Sequence, residues 1–128
     1  MITLTPTMPA PPEGRIDTQV LDGQILLIGI HRPAKRNGWT PPMFRQLAEA
    51  YTRLDDEPGL RVGVLHAFGE HFTAGLDLPL VVEHLQRGEP LTPYGLVEPH
   101  ELGLPGYRRR QKPMIAAVQG ICFTVGIE

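Results

Sequence analysis

KPMIAAVQGICFTVGIE, residues 112–128, is the most informative segment for the fold of this chain. Residues 114–118 form an apolar run after a proline, which predicts a core strand. Residues 124–126 form a turn where a helix is expected to start, and such a turn directs backbone N–H groups outward with the helix dipole behind them. The stretch ends on the carboxylate of Glu128. It therefore predicts a strand that leads into a ligand site.

A hairpin is predicted upstream, over residues 15–30. Asp22-Gly23 favours a tight type I′ turn, because that turn needs positive φ at both central positions. The residues before this turn alternate in polarity. Residues 25–30 are a continuous apolar run, which is typical of a strand buried on both faces.

A helix is predicted after Thr40, which is a typical N-cap residue and is followed by Pro41 at the first helical position. Pro58-Gly59 ends this helix. Its apolar face is predicted from residues that recur at helical spacing. These residues are Met43, Phe44, Leu47, Tyr51 and Leu54.

Two further elements follow. Residues 62–67 predict a second buried strand, and residues 78–87 a short helix that Gly88 ends. Residues 88–106 are rich in proline and glycine, so they predict a long loop or lid with little regular structure. The order strand, helix, strand, helix, strand predicts an α/β fold with right-handed crossover units on a partly parallel sheet.

The composition suits one packed domain. The chain has 128 residues, is 41% hydrophobic and carries a formal net charge of -2. This charge favours neither nucleic acid nor an anionic membrane as a partner. No run approaches the ~18 apolar residues that a bilayer span needs. Residues 1–14 lack the basic start and apolar stretch of a signal peptide, and their prolines predict a flexible arm.

The one cysteine, Cys122, excludes an intrachain disulfide, which fits a reducing compartment and predicts a cytoplasmic protein. It is predicted as a small buried hydrophobe in preference to a nucleophile. The histidines lack the spacing of a metal site, so no metal is predicted. This absence of metal spacing applies to His66, His71, His84 and His100.

Three segments in this order resemble the signatures of the crotonase family, also called the enoyl-CoA hydratase/isomerase family. They are HRPAKRNGW (residues 31–39), FGEHFTAGLDL (residues 68–78) and the opening stretch. The resemblance implies a crotonase-like (ClpP/crotonase) spiral of ββα units, with residues 15–128 as its N-terminal part. The C-terminal remainder is expected to lie outside this chain, so residues 1–128 alone are not expected to form an active monomer.

The resemblance also implies catalytic positions. The N–H groups of Leu76 and Val125 would form an oxyanion hole, and Glu128 would be an acid/base carboxylate. An enolate on a thioester oxygen needs such preorganised donors, and losing one costs about 3–4 kcal/mol in studied enzymes. Thr124 and Val125 stand where the family usually has glycines, which implies a narrower pocket.

Coenzyme A contacts are implied at the two loop segments. Backbone carbonyls near Ala74 and Leu76 would face the adenine, and basic side chains would meet phosphates. Asp77 has a second interpretation, as the cap of the helix that follows. The basic residues 108–112 are open to two interpretations, phosphate binding or a solvated charge run. The predicted coenzyme A contacts are Lys35, Arg36, Ala74, Gly75, Leu76 and Asp77.

The expected function is hydration of a 2-enoyl-CoA, with coenzyme A as part of the substrate and no separate cofactor. An isomerase, hydrolase or decarboxylase of the same fold, or a non-catalytic acyl-CoA-binding relative, is the alternative. A second glutamate about twenty residues after Glu128 would favour the hydratase. The resemblance implies a homotrimer or a hexamer.

Overall fold

The computed structural model describes residues 5–6 and 8–127 of the chain. Within that part, strands and helices follow in nearly the predicted order, with short 3₁₀ turns at Pro33–Lys35 and Thr124–Gly126. None of its helices is both long and apolar enough to cross a bilayer. The elements are β1 (Arg15–Leu21), β2 (Ile25–His31), α1 (Pro41–Asp56), β3 (Val62–Ala67), α2 (Leu78–Gln86) and β4 (Met114–Ala116).

The strands form one sheet in the order β1-β2-β3-β4. β1 and β2 are antiparallel, whereas β2–β3 and β3–β4 are parallel, which confirms the predicted partly parallel sheet. In the hairpin turn, Asp22 and Gly23 have φ of 51° and 69°, as the Asp-Gly signal predicts. The register pairs Leu21 with Ile25, so three residues connect the strands.

Helix α1 packs its apolar face on the sheet, as predicted. Leu26, Ile28 and Ile30 of β2 are fully buried beneath it, together with Met43 and Leu54 of α1 itself. Burial of this kind stabilises a fold by roughly 1.5–3 kcal/mol for each large apolar side chain. The β2–α1 contact is therefore the centre of the core.

The N-cap of α1 lies at the predicted residue, but the capping hydrogen bond is absent. Thr40 occupies the N-cap position, yet its side chain makes no capping bond. Pro41 and Pro42 have no N–H to offer, and the N–H of Met43 is taken by the Thr40 carbonyl at 3.0 Å. The Thr40 hydroxyl donates instead to the Glu13 carbonyl at 2.6 Å.

The N-terminal residues that the structure describes contact the body of the fold. Besides the Thr40–Glu13 bond, Arg15 donates to the carbonyls of Met8 and Pro9. Arg32 donates from Nε to the Pro12 carbonyl at 2.9 Å. Residues 1–4 and 7 of the predicted arm lie outside the described residues, and mobility of the arm stays a prediction.

The prediction of a buried core strand over residues 114–118 is wrong in two respects. The strand is shorter, Met114–Ala116. Ile115 and Val118 are 57% and 53% exposed. Within the described part of the chain, β4 is the edge strand and nothing packs over these side chains, so an apolar run alone did not predict burial.

The long segment between α2 and β4 is irregular, as predicted, but it is anchored to the core. Val97 is fully buried, and its N–H donates to the Thr52 hydroxyl of α1 at 2.9 Å. The buried Glu98 carboxylate accepts the N–H groups of His100 and Leu102, both at 2.9 Å. These bonds satisfy backbone groups that no sheet or helix satisfies here.

The basic residues 108–112 bind the acidic end of α1. Arg108 contacts Asp56 through two bonds of 2.6 and 3.2 Å. Hydrogen bonding to Arg108 is the main cause that lowers the pKa of Asp56. Lys112 donates from Nζ to the Glu57 carbonyl at 2.7 Å. These contacts are exposed, so they fit the interpretation as a solvated charge run, and phosphate binding stays a prediction.

One buried side chain joins the loop after β2 to the loop after β3. Asn37 is 1% exposed and uses its whole amide group. Its Nδ2 donates to the carbonyls of Phe68 (2.8 Å) and His71 (2.7 Å), and its Oδ1 accepts the N–H of Arg32 (2.7 Å). Its carbonyl accepts the Thr73 hydroxyl at 2.7 Å. Asn37 also has φ of 55°, a conformation that asparagine tolerates well.

We expect Asn37→Asp to destabilise the fold, because an oxygen would then replace the donor between two buried carbonyls. The free energy of unfolding of the intact protein should fall by roughly 3 kcal/mol or more in urea denaturation at neutral pH. Lys35→Ala, at an exposed position of the same loop, is the control and should change little. A drop of less than about 1 kcal/mol for Asn37→Asp would contradict this account.

We expect His66 to make stability depend on pH. Burial is the main cause that lowers the pKa of His66 below its ordinary 6.5, and the charge of Asp17 opposes it. The unfolded chain then binds the proton more readily than the folded chain, so stability present above about pH 6.5 is lost as pH falls. In urea denaturation between about pH 7 and pH 5, His66→Gln should lose less stability than the unmodified protein. Equal losses would show that His66 is not responsible.

Candidate active site

Two of the three segments that resemble the family signatures, residues 68–78 and 112–128, lie side by side. Residues 72–73 and 119–123 run parallel, with Thr73 opposite Cys122. The Thr73 N–H donates to the Ile121 carbonyl, and the Phe123 N–H donates to the Thr73 carbonyl, both at 3.1 Å. The structure therefore brings together two turns that are about fifty residues apart in the sequence.

The N–H of Leu76 points away from the loop that supports it. The carbonyl of Gly75 accepts the N–H of Trp39 at 2.8 Å. The C=O and N–H of one trans peptide point in opposite directions, so the Leu76 N–H faces away from Trp39. No described residue accepts this N–H. The donor is thus held in a fixed direction and remains available.

The N–H of Val125 is held in a similar way by the Thr124–Gly126 turn. The carbonyl of Thr124 accepts the N–H of Ile127 at 2.8 Å, so the Val125 N–H of the same peptide points out of the start of the turn. It too has no acceptor in the described part of the chain. The site therefore offers two backbone donors on adjacent turns.

Gly75 and Thr124 form the contact between these turns. A Cβ on Gly75 would lie only 2.8 Å from the Thr124 hydroxyl oxygen, so there is no space for a side chain. Gly75 also has φ of 107°, a conformation that disfavours any residue with a side chain. Thr124 has φ of 43°. That conformation is a strain of about 1–3 kcal/mol for a β-branched residue. The predicted narrowing of the acyl pocket by Thr124 and Val125 stays a prediction.

A cavity of about 180 Å³ adjoins the second turn and is lined by Val125 and Gly126. Its other walls come from α1, β3, β4 and the irregular segment, and they are mostly apolar. A larger cavity of about 650 Å³ lies between the start of α1 and α2, but none of the predicted site residues lines it. Of the two donor residues, Val125 lines the smaller cavity and Leu76 does not.

Three polar side chains line this smaller cavity: Trp39, Tyr51 and His100. Burial is the main cause that raises the pKa of Tyr51 to about 12, so its hydroxyl keeps its proton. The ring Nδ1 of His100 lies 3.1 Å from the carboxylate of Glu98. Helical spacing predicted Tyr51 only as a core residue, and nothing in the local sequence marked His100 as part of a cavity wall.

The predicted coenzyme A contacts occupy the neighbouring surface. Lys35, Arg36, Ala74 and Leu76 are exposed. The Ala74 N–H donates to the Arg36 carbonyl at 2.9 Å, so the basic loop and the first turn are joined. No ion pair of Lys35 or Arg36 occurs among the described residues. Their binding of phosphate stays a prediction.

Asp77 has a partner that neither interpretation anticipated. It stands at the predicted N-cap position of α2, but its side chain makes no capping hydrogen bond. Its Oδ2 accepts a hydrogen bond from Nη1 of Arg32 at 2.7 Å, and the same nitrogen donates to the Gly38 carbonyl at 3.1 Å. Buried Arg32 attracts the carboxylate more strongly than the uncharged helix start does.

The remaining candidates from the sequence are Glu128, Cys122 and the possible metal ligands. Glu128 lies outside the described residues, so its placement is not part of the site geometry. Cys122 is half-buried and packs against the core, as expected of a small hydrophobe. In residues 5–6 and 8–127, no group of three or more potential metal ligands lies together.

Similarity to known proteins identifies the family of this chain. Residues 21–128 match the family model described as enoyl-CoA hydratase/isomerase. A Beauveria bassiana protein named mevalonyl-coenzyme A hydratase SIDH is 35% identical over 108 residues, which cover 81% of this chain and 39% of that protein. Enoyl-CoA hydratase EchA19 of Mycobacterium tuberculosis is 34% identical over 107 residues, with 83% and 40% covered.

A crystal structure of a probable enoyl-CoA hydratase/isomerase from Mycobacterium abscessus has a TM-score of 0.77 and 40% identity to this chain, of which it covers 88%. The match takes up 42% of that structure, which confirms the predicted crotonase-like α/β fold and accords with an N-terminal part of it. The chain spans about 40% of the length of the curated relatives it matches. The chain belongs to the enoyl-CoA hydratase/isomerase family, the one that its three sequence segments resemble.

Proposed function

We propose that the protein adds water across the double bond of a 2-enoyl-CoA thioester. The observation that carries this proposal is the pair of unused N–H groups of Leu76 and Val125 on adjacent turns. The family membership and the hydratase names of the relatives support it. The reaction needs a stabilised enolate, and two fixed donors are suited to that task.

In the proposed reaction, the thioester oxygen accepts both N–H groups. The oxygen of water bonds to the β-carbon as one of its protons passes to a base, electrons of the double bond move toward the carbonyl, and a proton is then delivered to the α-carbon. The two donors stabilise the negative charge that develops on the thioester oxygen. Each is expected to contribute about 3–4 kcal/mol, as in enzymes where such a donor has been removed.

Glu128 is proposed as an acid/base group that exchanges protons with water or the α-carbon. Such proton transfer contributes about 10²–10⁴-fold to the rate in enzymes generally. A carboxylate two residues after the Thr124–Gly126 turn is close in sequence to the Val125 donor. The family description covers isomerases as well, and an isomerase would remove an α-proton to form a dienolate at the same two donors and return a proton at the γ-carbon, without adding water.

The coenzyme A end of the substrate is proposed to lie over the exposed loop of Lys35 and Arg36. The Arg36–Ala74 hydrogen bond places this loop beside the first donor turn. Exposed cations are suited to phosphates, while the carbonyls of Ala74 and Leu76 are proposed to accept the adenine amino group. An assembly of three or six copies is part of the proposal and follows from the family resemblance.

Removing the proposed acid/base group should slow the reaction without preventing binding. For Glu128→Gln in the intact protein, we expect kcat for hydration of crotonyl-CoA to fall about 10²–10⁴-fold. The measurement is the loss of absorbance of the enoyl thioester. Glu49→Gln on the exposed surface of α1 is the control. If Glu128→Gln retains full kcat, the proposed role is wrong, and if the unmodified protein converts only 3-enoyl-CoA to 2-enoyl-CoA, isomerisation replaces hydration.

Removing the two loop cations should weaken binding and leave the chemical step unchanged. The double variant Lys35→Gln and Arg36→Gln is expected to raise KM for crotonyl-CoA by roughly tenfold at low salt with little change in kcat, because each exposed charge contributes up to about 1 kcal/mol. Arg45→Gln on α1 serves as the matched control. An unchanged KM in the double variant would place the phosphates elsewhere.

A further inference from the structure

The imidazole of His71 takes part in the hydrogen-bond ladder that joins the two donor turns. The Ile121 N–H donates to His71 Nδ1 at 3.1 Å. Two backbone bonds continue the ladder, from the Thr73 N–H to the Ile121 carbonyl and from the Phe123 N–H to the Thr73 carbonyl, both at 3.1 Å. The contact between the turns therefore includes a side chain that can bind a proton near neutral pH.

His71 occupies the place of a backbone acceptor in this ladder. The bonds of a parallel ladder are evenly spaced, so a regular one would join the Ile121 N–H to the His71 carbonyl, two residues before Thr73. That carbonyl accepts Nδ2 of Asn37 at 2.7 Å, and the Ile121 N–H donates to the imidazole of the same residue. A group that titrates thus stands where a sheet normally has a carbonyl, which does not.

The backbone packs closely around this contact. Gly120 has φ of 59°, and a Cβ there would lie 2.6 Å from His71 Nδ1. The absence of a side chain at Gly120 therefore lets the imidazole lie directly against the chain. On the other side of this glycine, the Gln119 carbonyl accepts the Phe72 N–H at 2.8 Å. The chain that leads to the second turn is thus held on both sides of Gly120.

Only the neutral imidazole can make the bond to Ile121. A backbone N–H can only donate, so Nδ1 presents a lone pair and the proton of the neutral ring lies on Nε2. When the ring gains a second proton, Nδ1 becomes a donor that faces the Ile121 N–H, and the bond is lost. The contact is therefore present at higher pH and is lost as pH falls through the range in which histidine binds a proton.

Two charged side chains share a cavity with His71. This cavity of about 350 Å³ lies between the loop after β2 and the loop after β3, and of the described residues that line it, Arg36 and Glu70 carry opposite charges. Residues 119–121, which pack on the ring from the other side, contain no group that titrates. Histidine is the side chain of this set whose ordinary charge changes between about pH 5 and pH 8.

We propose that His71 is a positioning residue whose neutral ring holds the turn of Val125 in register with the turn of Leu76. Phe123, which the ladder fixes, comes directly before the second turn, so a shift of the chain there moves the Val125 N–H. The inference rests on the proposed function in that both N–H groups are taken to act on the thioester oxygen. It goes further by making the alignment of the two donors depend on pH.

The first test follows kcat for hydration of crotonyl-CoA by the intact protein between about pH 8 and pH 5.5. His71→Asn keeps an acceptor in its amide oxygen but does not titrate, whereas His71→Phe keeps a ring without an acceptor. We expect kcat of the unmodified protein to fall several-fold toward the acidic end, and kcat of His71→Asn to change less than about twofold. His71→Phe should be about 10–100-fold slower at every pH, because its donors are misaligned throughout.

His84→Asn is the matched control for these variants. His84 lies on α2, where its Nε2 bonds to the Pro90 carbonyl at 3.1 Å, outside the ladder. This variant should keep the pH profile of the unmodified protein. All of the proteins compared keep Glu128 and His66, so any effect of their titration is common to them. An acidic decrease of kcat that persists undiminished in His71→Asn would overturn the inference.

Hydrogen exchange tests the contact without any substrate. Mass spectrometry of the peptide that contains Ile121 gives the exchange of its amide, corrected for the intrinsic effect of pH. We expect His71→Phe to raise this exchange about five- to tenfold, as loss of one hydrogen bond would, and His71→Asn to leave it within about twofold. In the unmodified protein, protection should fall toward pH 5.5 by about the same factor as in His71→Phe. Equal protection in all three proteins and at both pH values would overturn the inference.

The outcomes separate this inference from the proposed reaction. Protection of Ile121 that depends on pH, together with a kcat that does not follow it, would overturn the positioning role and leave the reaction intact. If the protein hydrates no enoyl-CoA, the reaction is wrong, and the exchange measurement alone decides whether His71 holds the turns in register. If His71→Phe does not fold, the comparison of the unmodified protein with His71→Asn decides.

Discussion

The site depends on the hydrogen bonds of one buried amide, that of Asn37. Its side chain joins the loop after β2 to the loop after β3, and its carbonyl holds the Thr73 hydroxyl. The same loop supplies Trp39, whose backbone N–H donates to the Gly75 carbonyl and so holds that peptide in place. Each bond fixes the direction of the next peptide. The outward direction of the Leu76 N–H is thus a consequence of how Asn37 is satisfied.

The fold was predictable where local chemistry leaves few alternatives. Asp22 and Gly23 have the positive φ that the Asp-Gly turn predicts. The buried residues of α1 follow the predicted helical spacing. The strand over residues 114–118 was less predictable, because burial depends on what covers a face. Thr40 is the N-cap of α1 as predicted, but its hydroxyl bonds to the distant Glu13 carbonyl instead of a helix N–H, a contact that no local rule contains.

The candidate site was predictable in its backbone and less so in its side chains. Small residues in the first turn predicted a close approach of its backbone, and Gly75 does lie against Thr124 of the second turn. The pairing of Asp77 with Arg32 spans 45 positions, and the cavity wall at His100 comes from an irregular segment. Contacts of that range depend on the assembled fold, so neither periodicity nor motif spacing predicts them.

Trp39 is the one tryptophan of the chain, and it stands on the wall of the cavity that adjoins the Val125 donor. Indole emission responds to the polarity and hydrogen bonding of its surroundings. The tryptophan fluorescence of this chain therefore originates at the cavity wall, where we expect it to report, without any added label, on a molecule that enters.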